Sequence, residues 1–262
     1  MRIKQNINSI IVIAYRDILK FLKDRPRIFA SLIFPIVFIG ILGGSSQAAF
    51  SSESGINFLA FTFTGVLAQT LFQSSASGII SLIEDRQNDF SQEMFVSPIS
   101  RYSILLGKIL GESCVSLFQA IGIIGFGALI GVPITIAQLL MIIPAMFIAS
   151  IFGASFGIII LSNLSSQRSA NQIFPFIIFP QFFVSGIFVP INNLPLPLEI
   201  LSRIAPMTYI VDFMRNIFYL GTSEFDKVTL FPLWINITVI STMFIFFLIL
   251  GTWLFVNNER NR

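Results

Sequence analysis

The chain has 262 residues, 55% of them hydrophobic and 11% charged, with a mean hydropathy of +0.85 and a formal net charge of +3. Soluble domains carry about 25% charged residues, so this chain cannot cover a water-facing surface and reads as an all-α integral membrane protein. A membrane barrel does not fit, since its strands alternate polar and apolar residues; a single cysteine, Cys114, and the absence of histidine exclude an intramolecular disulfide, a cysteine-rich metal site and the commonest general base.

In chain order, residues 6–23 come first. Ile7, Ile10, Ile11, Ala14, Ile18, Phe21 and Leu22 fall on one helical face, and Ser9, Arg16, Lys20 and Lys23 on the other. Basic residues opposite an apolar stripe describe a helix lying in the headgroup region. Six apolar stretches follow, at about 28–44, 58–83, 104–131, 136–161, 173–190 and 231–256, each near the ~20 residues that span hydrocarbon. The second is rich in Ser, Thr and Gln. Between the fifth and sixth, Pro195, Pro197 and Pro206 cut residues 194–220 into short pieces, Leu198–Ala205 and Met207–Leu220. Pieces of that size read as re-entrant or interfacial helices. The whole chain, 1–262, is one transmembrane domain.

An even number of spans puts both termini on one side. That side then holds thirteen Lys and Arg residues, against Arg203, Arg215 and Lys227 on the other. The imbalance predicts cytoplasmic (or stromal) termini.

Three local patterns suggest chemistry. Gly153-Ala-Ser155-Phe-Gly157 has the form of a hydrolase nucleophile elbow, which needs a strand–turn–helix context and a histidine. Here the pattern lies inside a span. Ala145, Ala149, Gly153 and Gly157 recur every four residues and form a small-residue stripe for helix packing. Asp85 and Asp89, four apart, could hold magnesium as in membrane prenyltransferases; the other acidic residues, Asp212 and Glu224–Asp226, fall on the opposite side by the charge count. No Walker-type phosphate loop occurs, because Gly107-Lys108 is followed by Ile109. Nucleotide energy would have to come from another polypeptide. Glu112 has Lys108 four residues earlier and is expected to form an intra-helix pair with it. Asp212 and Arg215, three apart, are expected to do the same.

Residues 84–101, EDRQNDFSQEMFVSPISR, hold six of the chain's 29 Asp, Glu, Lys and Arg residues. On a helix, Ile83, Gln87, Phe90 and Met94 share one face, and Asp85, Asp89 and Glu93 another, with Arg86 beside them; Pro98 stops it. By residue pattern alone this is either a rod that docks on a partner or a solvated loop.

A resemblance bears on that choice. Glu84-Asp85-Arg86 … Glu93 … Ser97-Pro98-Ile99-Ser100-Arg101 … Leu106-Gly107-Lys108-Ile109-Leu110-Gly111 resembles the cytoplasmic signature of ABC-2 type transporter permeases. The family often has glycine near position 89, where this chain has Asp. Phe174-Pro-Phe … Phe183-Val-Ser-Gly-Ile-Phe-Val-Pro190 … Asn193-Leu-Pro195 … Ala205-Pro206-Met-Thr-Tyr209 … Asp212 … Arg215 is similar to the family's fifth span and far-side helices. The likeness covers nearly the whole chain, and is strongest to nodulation- and drug-export-type permeases and to plastid-encoded algal homologues. It implies an export permease in a plastid (chloroplast) or bacterial inner membrane, working with a second permease copy and two copies of a separate ABC ATPase. No cofactor is then expected on this chain, ATP and magnesium belonging to the ATPase, and no nucleic acid. The resemblance makes 84–98 a coupling helix, with Asp85, Arg86, Gln87, Phe90, Glu93, Met94 and Pro98 at the contact, and makes Pro190, Pro206, Tyr209, Asp212 and Arg215 part of a far-side gate. Few buried charges in the spans favour amphipathic or lipid-like cargo. Two rivals predict different behaviour: a magnesium-dependent prenyltransferase would turn over alone, and an assembly protein would bind a partner without ATP-dependent flux.

Overall fold

The computed structural model describes residues 2–87, 100–162, 164, 166–191 and 195–260, and among these there are helices and turns but no strand. Helix α1 (Arg2–Lys23) is followed by Asp24, whose carboxylate accepts from the Arg27 N–H at 3.1 Å and caps α2 (Arg25–Val37). Proline in the first turn of α2 costs no backbone hydrogen bond. Three residues past the buried Pro35 the backbone widens into a π-helical turn, Phe38–Gly43, and runs on into α3 (Gly44–Ser54). Gly55, at φ +62°, ends α3 in a conformation that L side chains resist. Asn57 then caps α4 (Phe58–Gly78), which is followed by α5 (Ile80–Gln87).

Ser100 caps α6 (Arg101–Leu129), and a reciprocal Thr135–Gln138 capping box opens α7 (Ile136–Leu161). The remaining helices are α8 (Gln167–Val184), α9 (Leu196–Ile204), α10 (Pro206–Phe218), α11 (Phe225–Val228) and α12 (Leu233–Arg260). Among the described residues, five helical stretches are long and apolar enough to cross a membrane: Arg25–Ala49, Phe58–Asp85, Arg101–Leu129, Ile136–Leu161 and Leu233–Phe255. The stretch expected at 173–190 corresponds to α8, which starts six residues earlier and is outside that set. Its first turns carry Gln167, Arg168, Asn171 and Gln172, which dilute its apolar character.

Helix α4 is the centre of the bundle, buried without a break from Ala60 to Phe72. It packs on α6, α7 and α10. Ala145, Ala149, Gly153 and Gly157 are all buried on α7. A Cβ added at Gly153 would stand 2.3 Å from the Phe72 carbonyl oxygen, and one at Gly157 2.4 Å from that of Ala76. The two backbones touch there, which only glycine permits. Around this contact Phe72, Phe152, Phe156 and Phe247 interlock, with ring centroids 5.1–5.8 Å apart.

The short helices after α8 differ from one another. α9 leaves Leu196, Leu198, Ile200, Leu201 and Ile204 exposed. α10 is buried on every side from Met207 to Asn216, held among α4, α7 and α12. Its polar residues are therefore inside the protein.

Candidate functional site

Charged groups gather at both ends of the bundle. At one end, α1 lies along α6 because Gly107 and Gly111 expose α6 backbone to it. A Cβ at Gly107 would be 2.9 Å from Ile13 Cβ, and one at Gly111 3.0 Å from Ala14 Cα. The close approach brings Asp17 to Lys108. Lys108 Nζ lies 2.9 Å from Asp17 Oδ2 and 3.2 Å from Asp85 Oδ2, and donates to Ser81 Oγ at 2.8 Å. Arg16 donates to Asp17 at 3.1 Å and also to Asp85. Lys20 adds an exposed contact to Glu84 at 3.3 Å.

Lys108 is 1% exposed, so its ammonium has left water almost completely. Such a charge persists only if paired and hydrogen-bonded. Two cations, Arg16 and Lys108, face two carboxylates, Asp17 and Asp85, and each cation reaches both acids. This joint ties α1, α5 and α6 together.

Glu112, one turn along α6, departs from the sequence expectation. It does not pair with Lys108, which is taken by acids from two other helices. Its Oε1 instead lies 3.0 Å from Ser81 Oγ, and Oε2 is 4.0 Å from Arg27 Nη2. Gly78 leaves the notch that holds the carboxylate, since a Cβ there would stand 1.9 Å from Oε2. An (i, i+4) spacing permits a pair but cannot exclude better partners from outside the helix.

Of the residues expected at a coupling contact, Asp85 is buried and engaged within the chain. Arg86 and Gln87 form the last turn of α5. Phe90, Glu93, Met94 and Pro98 lie outside the described residues, as does Asp89. The magnesium reading finds no support: Asp85 is committed to Arg16 and Lys108, and among the described residues no group of three His, Cys, Asp or Glu side chains could hold a metal ion.

At the opposite end, Asp212 and Arg215 also fail to form the pair their spacing suggested. Asp212 uses both oxygens elsewhere: Oδ1 accepts from the Leu230 N–H at 2.6 Å, and Oδ2 from the Phe231 N–H at 2.9 Å and Asn236 Nδ2 at 2.7 Å. It thereby pins the start of α12 to α10. Burial pushes its carboxyl up from the ordinary range, against these donors and the Arg215 charge. Arg215 lies over the Phe61 ring, 3.6 Å from its centroid, and donates to the carbonyls of Phe61 and Ile187 at 3.3 Å. Burial lowers this guanidinium to about 10, with Tyr219 and Asp212 opposing. Gly65 makes the room, because a Cβ there would come within 2.6 Å of the Ile187 oxygen. The Tyr209 hydroxyl donates to the Arg203 carbonyl at 2.7 Å, and its ring stacks on Phe231. Pro206 starts α10, and Pro190 closes the turn after α8 beside Asp212 and Arg215.

Sequence reasoning missed Asp17, Ser81 and Gly78. Asp17 was findable: it is the one acidic residue in the basic helix Arg2–Lys23, on the side turned from the exposed stripe of Ile7, Ile11, Tyr15 and Leu22. Ser81 and Gly78 gave no signal, since their roles depend on where Lys108 and Glu112 arrive.

Fold and site together define a multi-span helical membrane protein whose lead-in helix is locked by buried ion pairs to the segment leaving the central span. The sequence pattern of the ABC-2 type transporter family matches residues 8–219, and the chain belongs to that family. It is a membrane permease subunit of an ABC-type transport system. The chain is 27% identical over 243 residues to a protein of Cyanophora paradoxa named as the transport permease ycf38, covering 89% of this chain and 83% of the relative. It is 28% identical over 158 residues to a protein of Escherichia coli K12 named as the multidrug ABC transporter permease YbhR, covering 59% of this chain and 42% of the relative. With nodulation protein J of Rhizobium meliloti it shares 22% over 192 residues, 72% of this chain and 73% of the relative.

Proposed function

We propose that this permease is the membrane half of an exporter, driven by a separate ATPase and working as a pair of permease copies with two ATPase copies. Residues 84–98 are the segment the ATPase pushes. In this reading the chain crosses the membrane six times, α8 being the additional span, with both termini on the ATPase side, α1 in the interface and α9 on the far surface. The cargo is amphipathic or lipid-like, in keeping with the largely apolar composition of the spans, and the membrane is that of a plastid or a bacterial cell.

The observation that carries the reading is the joint of Arg16, Asp17, Asp85 and Lys108. Force applied to 88–98 enters α5 at Gln87, reaches Asp85 within one turn, and passes through paired charges to α1 and α6. An ATPase that prefers one arrangement of 84–98 over another would shift the permease by that preference; equal binding to both would shift nothing. Co-expression with an ABC ATPase subunit from the same source and purification in detergent is the direct test. We expect a complex whose hydrolysis rate changes when the permease is present. In a Cys114→Ala background, Gln87→Cys should label from the ATPase side and Leu220→Cys from the other. Labelling of position 87 from the far side sinks the orientation and the coupling role with it.

A further inference from the structure

The corner between α1 and α2 gathers four basic residues in eight, Lys20, Lys23, Arg25 and Arg27, directly ahead of the span Arg25–Ala49. The acids around them are already used. Asp17 is taken by Lys108 and Arg16, and Glu84 by Lys20. Asp24 spends Oδ1 on the Arg27 N–H, capping α2. Glu112 holds Arg27, which also lies 5.7 Å from the centroid of the Phe21 ring. Among the described residues, Lys23 and Arg25 have no ion-pair partner, and both are exposed.

Two apolar neighbours distinguish this corner from a wetted basic face. Leu22, beside Lys23, is 46% exposed, and Phe29, one turn past Arg25, is 72% exposed. Leu22 ends the exposed stripe of Ile7, Ile11 and Tyr15 on α1. Water is a poor neighbour for such a stripe. The corner therefore belongs where hydrocarbon meets the headgroup layer, with its apolar side chains in the one and its cations at the level of the other. The break at Asp24 and the proline in the first turn of α2 set Lys23 and Arg25 on either side of one stiff bend.

We propose that Lys23 and Arg25 form a seat for the headgroup of an anionic phospholipid, whose acyl chains lie against Leu22 and Phe29. The lipid phosphate supplies the countercharge that the chain itself does not. Asp17, six residues before Lys23, ties α1 to α6, so a lipid held at the corner also steadies α1 beside the joint. The seat goes beyond the export reading above and takes from it only that α1 lies in the interface; it is independent of the cargo.

The test uses the full permease with its ATPase in phosphatidylcholine nanodiscs. Photoactivatable phosphatidylglycerol or phosphatidylcholine with identical chains is added, and crosslinks are mapped to residues 20–33 by mass spectrometry. Each Lys or Arg beside anionic headgroups supplies about fivefold, so the two together predict a preference of about 25-fold for phosphatidylglycerol. Lys23→Gln and Arg25→Gln should each cut that preference about fivefold, and the double variant should bring it close to one. Both side chains are exposed, so all three variants should keep the wild-type melting temperature and the ATPase. Arg203→Gln, on α9 and paired with Glu199, should leave the preference unchanged. Equal crosslinking of the two lipids to the wild-type protein means annular lipid only and overturns the proposal. So does an absence of crosslinks at 20–33, or a preference that survives the double variant. Millimolar inorganic phosphate that abolishes the preference would make the seat one for a soluble anion and overturn it too. Protection of Lys23 from amine labelling on adding the ATPase, in discs without phosphatidylglycerol, would make the corner a protein contact, with the same result. A phosphatidylglycerol preference without ATPase-dependent export leaves the seat standing and sinks the transport reading; export without the preference does the reverse.

Discussion

Replacing Lys108 with methionine tests whether the joint is a paired unit. Met keeps the length and apolar stem of lysine but removes the ammonium that faces Asp17, Asp85 and Ser81. Two carboxylates are then left with Arg16 alone. Breaking one partner out of a buried ion pair costs about 3–5 kcal/mol. Arg16 is 30% exposed on its side chain, so solvent relieves part of the strain, and the lower end, about 3 kcal/mol, is the fair figure. For a chain of this size that is a drop of about 6–12 °C in apparent melting temperature. The assay is a heating series in detergent, read as the monodisperse fraction by size-exclusion chromatography. Adding Asp17→Asn restores one cation against one acid and should recover at least half of the loss, a coupling of about 1–3 kcal/mol between residues in contact. A Lys108→Met protein melting within about 2 °C of wild type, or a double variant less stable than the single, would refute the pairing argument.

Glycine contacts give a second prediction in the same assay. Gly153→Ala forces a Cβ toward the Phe72 carbonyl and should cost about 1–3 kcal/mol, whereas Gly125→Ala, with open space around its Cβ, should be neutral or slightly stabilising. Asp212→Asn keeps the shape of the side chain but turns one acceptor into a donor against the Phe231 N–H and Asn236, or against the Leu230 N–H. We expect a loss of about 1.5–3 kcal/mol, seen as earlier melting and faster proteolysis at 229–233.

The spans were legible because crossing a membrane is a compositional demand. Apolar length alone placed Phe58–Asp85 and Ile136–Leu161 within a few residues. The stretch 173–190 was less so: α8 carries polar entry turns in the same helix as its apolar half and is not among the five helices long and apolar enough to cross. The stripe of Ala145, Ala149, Gly153 and Gly157 could be read for spacing but not for its partner; that α4 fills it is a fact of three dimensions. Ion pairing failed in the same way at both ends. Lys108–Glu112 and Asp212–Arg215 were read as neighbours on one helix, yet every strong partner came from elsewhere in the chain: Asp17, Asp85, Leu230, Phe231, Asn236 and the Phe61 carbonyl. Sequence distance measures what can meet along a helix. It does not measure what the bundle offers in competition.

The pairing in the joint bears on how force could cross it. Because Arg16 and Lys108 each reach both Asp17 and Asp85, small displacements can exchange partners while every charge remains compensated. Opening the joint has no such compensation and costs about 3–5 kcal/mol per lost partner. That is comparable to the ~5.5 kcal/mol needed to move a two-state equilibrium from 1:99 to 99:1. In the proposed reading, the joint is a link that tilts more easily than it separates, as a push of the ATPase on α5 would require. Asp85→Asn isolates this property. It leaves Asp17 between the two cations, so the bundle should lose less stability than with Lys108→Met, and the ATPase should still co-purify. What should fall is the dependence of export on hydrolysis, measured in proteoliposomes as substrate moved per ATP consumed. If that ratio stays at the wild-type value in Asp85→Asn, force reaches the spans by another route and the joint is merely structural.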